Sequence, residues 1–295
     1  MSSSLDAVLA ELIPAESLCG RLRAGAIGEW NSYVDHPFVR GMGDGTLSEE
    51  SFRHYLIQDY LLLVQFCRAY ALAVYKGGDL EEMRQGTATL DALLNIEMGL
   101  HVKNCAGWDV TEAQMLATPE ARATIAYTRY VLDQGMAGDL LDLLVALAPC
   151  VVGYGEIGLR LAHDPATKRE NNRYMHWIEM YSGSEYLDVV RSWTAVLRSG
   201  QGCRCPRPAL YRYKQTLRWQ AGWKQISGKW ALRWSSRREI ATYCGATQEK
   251  RSVRWSSKVS LPQSAATGSD AWRPYFAQWF SAAAVTASRL EFKRL

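Results

Sequence analysis

The chain has 295 residues, 48% of them hydrophobic, which is enough to bury the core of one large domain or two small ones. Its net charge of +4 hides a division. Residues 1–197 carry 15 Lys and Arg against 26 Asp and Glu, whereas residues 198–295 carry 19 against 4, together with seven of the eleven tryptophans. The composition therefore predicts an acidic body at 1–197 and a basic, Trp-rich tail at 198–295. The opening MSSSLDAVLAELIPAES reads as a lead-in helix; it contains acids and no basic n-region, so no secretory signal is expected. Ser48 is placed to cap a helix through EESFRHYLIQDYLLLVQFCRAYALAVYK, where Phe52, Leu56, Leu63, Phe66 and Tyr70 recur at helical spacing. A second helix is expected from about Asp79 to Asn104, stopping near Gly107. Thr118-Pro119-Glu120 predicts the start of a third, through ARATIAYTRYVLDQGM. LVALAPCVVGYGEIGLRL, from Leu144 to Leu161, reads as a core helix. A last helix is expected from near Asn171 to Val196, with a break at YSGSEY. The body is thus predicted to be an all-α bundle.

No run of about 18 apolar residues lacks a charged or polar break, so no membrane span is expected and a cytoplasmic location is the default. The seven cysteines are odd in number and irregular in spacing, which points to thiols rather than disulfides. Cys203 and Cys205 form C-x-C, without the spacing of a zinc ribbon.

Several polar groups interrupt the apolar helices. Cys150 follows Pro149, whose missing N–H predicts a kink at the thiol, and Tyr154 lies one turn on and on the same face. Glu156 is about 600° of helical rotation from Cys150 and is expected to face away, paired with an arginine. Asp59 is flanked by apolar residues, where an acid is costly unless it is paired or used. Tyr127 and Tyr181, taken singly, read as half-buried core. Glu97 and His101 share a helical face, but a di-iron bundle requires Glu-x-x-His from two helices. No G-x-S-x-G motif and no phosphate-binding glycine loop is present.

HPFVRGMGDGTLSEESFRHYLIQDYLLL, AYTRYVL, LLVALAPCVVGYGEIG and WIEMYSGSEY resemble, in order and spacing, the TenA, or thiaminase II, family over about residues 17 to 197. The resemblance implies a haem-oxygenase-like helical bundle, assembled as a homotetramer. It implies hydrolysis of aminopyrimidines, either aminomethylpyrimidine or thiamine, to the hydroxymethyl product, without cofactor or metal. Cys150 is implied as the nucleophile, adding to the ring beside the carbon that bears the exocyclic methylene. Asp59 is implied to hold the ring nitrogen and amino group, and Tyr127, Tyr154 and Tyr181 to line the pyrimidine pocket. Two departures accompany it. Some members have a tyrosine where this chain has Leu62. The family's closing helix places a leaving-group acid just before Phe-Trp, a pattern missing after Leu197, where Glu291 has basic neighbours instead.

The tail allows two readings. Its Arg, Lys and Trp content suits a nucleic-acid surface, but no named motif supports one. A segment encoded out of frame after about Arg198 accounts better for the loss of helical pattern, and nucleic acid is not the expected partner. The alternatives to a working hydrolase are a weakened family member that still binds pyrimidine, and a protein that binds nucleic acid through the tail.

Overall fold

A computed structural model describes residues 2–199, and within them the regular structure is helical with no strand. The proposed division of the chain at Leu197 falls two residues before the end of the described residues, and every reading of the tail beyond Ser199, Glu291 included, lies outside them.

Four short helices come first: α1 (Ser2–Leu12), α2 (Leu18–Gly25), α3 (Ile27–Val34) and α4 (Pro37–Gly43). Ser17 caps α2 by accepting the Gly20 N–H at 2.9 Å, and Pro37 occupies the first position of α4. The long α5 (Glu49–Lys76) begins where expected, with the Ser48 hydroxyl accepting the Ser51 N–H at 3.2 Å. Asp79 caps α6 (Leu80–Ala92) by accepting the Glu81 and Glu82 N–H groups at 2.8 Å.

One expectation is met with an added feature and one needs correction. The single helix expected over Asp79–Asn104 contains a π-helical turn, Leu93–Glu97, between α6 and α7 (Met98–Ala106), with Gly107 at the stop. Such turns re-aim the side chains that follow them. The helix expected from Thr118-Pro119-Glu120 starts later, as α9 (Arg122–Ala137). The cause is Gln58 on α5, which donates to the Pro119 carbonyl at 3.1 Å and accepts the Ala121 N–H at 2.8 Å. A side chain distant in sequence thus holds residues 119–121 extended. A short helix, α8 (Glu112–Ala117), precedes them on a Thr111–Gln114 capping box.

The core is organised around α10 (Leu140–His163), capped by a reciprocal Asp139–Asp142 pair. By length and composition α10 could cross a membrane; here most of it is buried against α5, α9, α11 (Met175–Ser182) and α12 (Ser184–Ser199). The break between α11 and α12 falls at Gly183, within the expected YSGSEY. Gly158 allows α10 and α11 to touch, since a Cβ there would lie 2.4 Å from the Tyr181 carbonyl carbon. The missing side chain is what permits the α11 backbone at Tyr181 to pack directly on α10.

Glu156 is fully buried on α10 and accepts from Arg23 at 2.7 and 2.8 Å, Trp30 at 2.9 Å and Arg160 at 2.7 and 2.9 Å. The expected arginine pairing is present, twice over. Burial by itself raises this carboxyl's pKa, but the Arg23 bond and charge, with Arg160 and Trp30, outweigh it and hold the group below its ordinary 4.5. Its stabilising contribution is therefore complete above the ordinary carboxylate range and is lost as pH falls through the depressed value. Glu156→Ala is expected to cost about 3 kcal/mol at pH 7 by urea denaturation, because it leaves two cations facing an empty apolar site. The difference from the parent chain should narrow as pH falls below 4.5.

Candidate active site

The helix of α10 continues through Pro149. Hydroxyls from other elements fasten the segment on which the kink was expected: Tyr33 donates to the Pro149 carbonyl at 3.1 Å, and Tyr186 to Val151 at 3.0 Å. Cys150 is partly exposed to a cavity of about 1250 Å³, whereas Cys19, Cys67 and Cys105 are buried. Its Sγ lies 2.8 Å from the Tyr127 hydroxyl. Tyr127 is buried on α9, and burial, followed by the charge and bond of Cys150, holds its pKa well above 10. The phenol therefore keeps its proton across the neutral range, and a phenol donating to Sγ would stabilise a thiolate there.

Asp59 comes from α5 and is 8% exposed. Its Oδ2 is 3.1 Å from His101 Nε2 and its Oδ1 accepts from the Tyr154 hydroxyl at 3.4 Å. Tyr55, one turn before Asp59, donates to Tyr154 at 3.1 Å. These contacts meet the cost of a carboxylate in an apolar seam. Cys150, Asp59, Tyr154 and Tyr181 all line the same cavity, with Leu62. Tyr127 lines a smaller pocket that adjoins it and shares Asp59, Leu62 and Tyr154.

An aromatic wall completes the site. The rings of Tyr154 and Tyr181 are 5.0 Å apart, Trp177 and Tyr181 4.4 Å, and Tyr181 and Tyr186 4.8 Å. Such faces stack on a planar heteroaromatic ring and exclude water. The five residues expected to form the site, Asp59, Cys150, Tyr127, Tyr154 and Tyr181, are thus brought to two contiguous pockets from four helices. Glu156 is directed away, as the rotation argument requires.

Sequence reasoning did not assign site roles to Tyr33, Trp177, Tyr186, Glu97 and His101. Aromatic residues at helical spacing look the same whether they fill a core or line a pocket. Glu97 and His101 were weighed only as metal ligands. His101 instead commits Nδ1 to the Glu97 carbonyl at 3.1 Å and Nε2 to Asp59. The Glu97 carboxyl lines the cavity, and burial and the Asp59 charge, opposed by His101, bring its pKa up to about 7.

Comparison with known proteins places the chain in a family. The chain is 40% identical over 163 residues to an uncharacterised protein of Haemophilus influenzae, covering 55% of this chain and 74% of that one. It is 37% identical over 161 residues to an aminopyrimidine aminohydrolase of Halalkalibacterium halodurans, covering 55% and 71% of the two chains. The crystal structure of a TenA family transcription regulator from Silicibacter sp. TM1040 superposes with a TM-score of 0.69 at 38% identity, covering 74% of this chain and 98% of that one. The model of the TENA/THI-4/PQQC family matches residues 26–200, so this all-α helical bundle belongs to that family.

Proposed function

We propose that the chain is a hydrolase of aminopyrimidines, converting aminomethylpyrimidine or thiamine to the hydroxymethyl compound with Cys150 as nucleophile. The observation that carries this reading is the convergence of a Tyr127-bonded thiol and a buried carboxylate, Asp59, held by His101 and Tyr154, on one aromatic-walled cavity. The relative from Halalkalibacterium halodurans named for this activity supports it.

The chemistry follows from the parts. Asp59 grips the ring nitrogen and amino group and fixes the ring's orientation, while Tyr154 and Tyr181, packed on each other, wall the ring with apolar surface. The Cys150 thiolate adds to the electron-poor ring beside the carbon bearing the methylene, and the ring nitrogen accepts the displaced electron pair. That adduct expels the amine or thiazolium; water takes its place on the exocyclic carbon, and the thiolate leaves. The protein supplies these groups itself, with no cofactor, and the reading places it in the cytoplasm as a homotetramer. Because the Glu-Phe-Trp pattern of a leaving-group acid is missing from the sequence after Leu197, turnover is expected to be slow relative to pyrimidine binding.

Cys150→Ser should abolish ammonia release from aminomethylpyrimidine while leaving the helical circular dichroism unchanged, because a hydroxyl is a far weaker nucleophile at neutral pH. Retention of more than about a tenth of the turnover removes Cys150 from this role. Asp59→Asn should weaken pyrimidine binding in a calorimetric titration as well as slow turnover. If the parent chain binds pyrimidine but releases no ammonia, it is a binding member of the family and not a hydrolase.

Tyr127→Phe removes the hydroxyl beside sulfur with little change of shape. Alkylation of Cys150 by iodoacetamide at pH 7 should slow several-fold, measured by mass spectrometry of the Cys150 peptide. An unchanged rate shows that the Tyr127 contact does not activate the thiol.

A further inference from the structure

Two carboxyls buried among the helices are held by hydrogen bonds: Glu156 by Arg23, Trp30 and Arg160, and Asp59 by His101 and Tyr154. Glu97 differs. Its backbone carbonyl is engaged by His101 Nδ1 at 3.1 Å, but among the described residues no hydrogen bond or ion pair ends on its carboxyl oxygens. The side chain is half-buried and lines the cavity onto which Cys150 and Asp59 open. A carboxyl withdrawn from bulk water without a protein partner is costly, and a ligand in the cavity is what remains to pair with it. Glu97 also stands at the last position of the π-helical turn, an insertion that recurs at functional sites because it breaks the regular register of a helix.

We propose that Glu97 receives the exocyclic amino group of a bound aminopyrimidine and gives it the proton with which it leaves. This rests on the aminopyrimidine reading given above, and it names the leaving group that the cavity serves, a primary amine. The Cys150 thiolate bonds to the ring carbon, and the electron pair of the ring C=N bond is taken up by the ring nitrogens. That pair then forms an exocyclic C=C bond as the C–N bond breaks. The departing nitrogen keeps the C–N electrons, takes the proton of the Glu97 carboxylic acid and leaves as ammonia. Water bonds to the exocyclic carbon and loses a proton to the Glu97 carboxylate, while the C=C pair returns to the ring nitrogens. The ring C=N bond re-forms and the C–S bond breaks, releasing the thiolate. The ring's own protons stay where they are, and Cys150 and Glu97 end as they began. One water is consumed and one ammonia is released.

The surroundings of Glu97 suit a proton that moves both ways. Asp59, Cys67 and Tyr70 on α5, His101 on α7, Tyr181 on α11 and Tyr186 on α12 lie within reach of its charge. Burial raises its pKa, His101 opposes the rise and Asp59 adds to it, leaving the group at about 7. An acid of that strength is present in both forms at neutral pH, which serves the departure of the amine and the entry of water alike. Tyr70 and Tyr186 feel the charges of both Glu97 and Cys150, so the acid and the thiol share neighbours on the cavity wall.

Amine binding is tested by calorimetric titration of the full chain carrying Cys150→Ser, which stops turnover. The two ligands are aminomethylpyrimidine and the analogue with a methyl group in place of the aminomethyl. Adding Glu97→Gln should weaken aminomethylpyrimidine about tenfold or more and leave the methyl analogue within about threefold. With circular dichroism unchanged, an equal loss for both ligands, or no loss for either, overturns the proposal. Should Glu97→Gln not accumulate folded, Glu97→Met takes its place. Proton transfer is tested with Cys150 intact, in single turnovers with enzyme in excess. Thiamine sheds its thiazolium as a neutral ring, which needs no proton. Glu97→Gln should therefore slow ammonia release from aminomethylpyrimidine on the order of a hundredfold and slow thiazole release from thiamine less than about threefold. Equal slowing of the two means that Glu97 only shapes the pocket and refutes the role. If the parent chain releases ammonia but no thiazole, the calorimetric comparison decides. A parent chain that binds neither pyrimidine refutes the aminopyrimidine reading, and the role of Glu97 falls with it. One that binds both and releases nothing refutes hydrolysis and the proton transfer, while the reception of the amine by Glu97 still stands or falls by calorimetry.

Discussion

Asp59 carries a carboxylate into an apolar seam between helices, and the architecture of the site follows from what that burial demands. An isolated charge there costs several kcal/mol, so the fold must bring polar partners to it. His101 arrives from α7 and Tyr154 from α10, and Tyr55 supports Tyr154 from one turn earlier on α5. Meeting that demand fixes α5, α7 and α10 relative to one another. The same three-way contact sets the floor of the cavity into which Cys150 opens.

The opposite side of α10 is anchored with equal economy. Glu156 takes five hydrogen bonds from Arg23, Trp30 and Arg160, fixing the rotation of α10 about its axis. Two residues earlier Tyr154 points to the pocket, and one turn before that stands Cys150. The buried carboxylate away from the pocket and the thiol within it are thus aspects of one constraint. The glycines of α10 add the close approach: Gly158 admits the α11 backbone, and at Gly153 a Cβ would lie 2.5 Å from the Tyr33 ring. Tyr33 in turn holds the Pro149 carbonyl beside Cys150.

Hydroxyl groups carry much of the polar architecture. Tyr33, Tyr55, Tyr127, Tyr154, Tyr181 and Tyr186 all have pKa values held well above 10, with burial the leading cause. They remain neutral across the neutral range and add no anion of their own beside Cys150 and Asp59. Such a pocket suits a neutral or cationic heteroaromatic ring, since its walls include π-faces and the carboxyls of Asp59 and Glu97 line it.

Much of this is legible in the order of residues. Apolar periodicity and caps such as Ser48 and Asp79 determine where helices begin, because they act within a few positions. The isolation of Asp59 among apolar neighbours marks it as paired or used, and Cys150 and Tyr154 share a face by helical spacing alone. The 600° between Cys150 and Glu156 separates their roles before any coordinates are considered. Contacts between distant segments are different. That Gln58 delays the start of α9, that His101 reaches Asp59 across 42 positions, and that Tyr127 touches the sulfur depend on how helices pack. Periodicity names the buried face of a helix but not the neighbour it is buried against, and a tyrosine on that face reads the same in a core as in a pocket. Only the tertiary structure decides between those two, because only there does the hydroxyl acquire a partner.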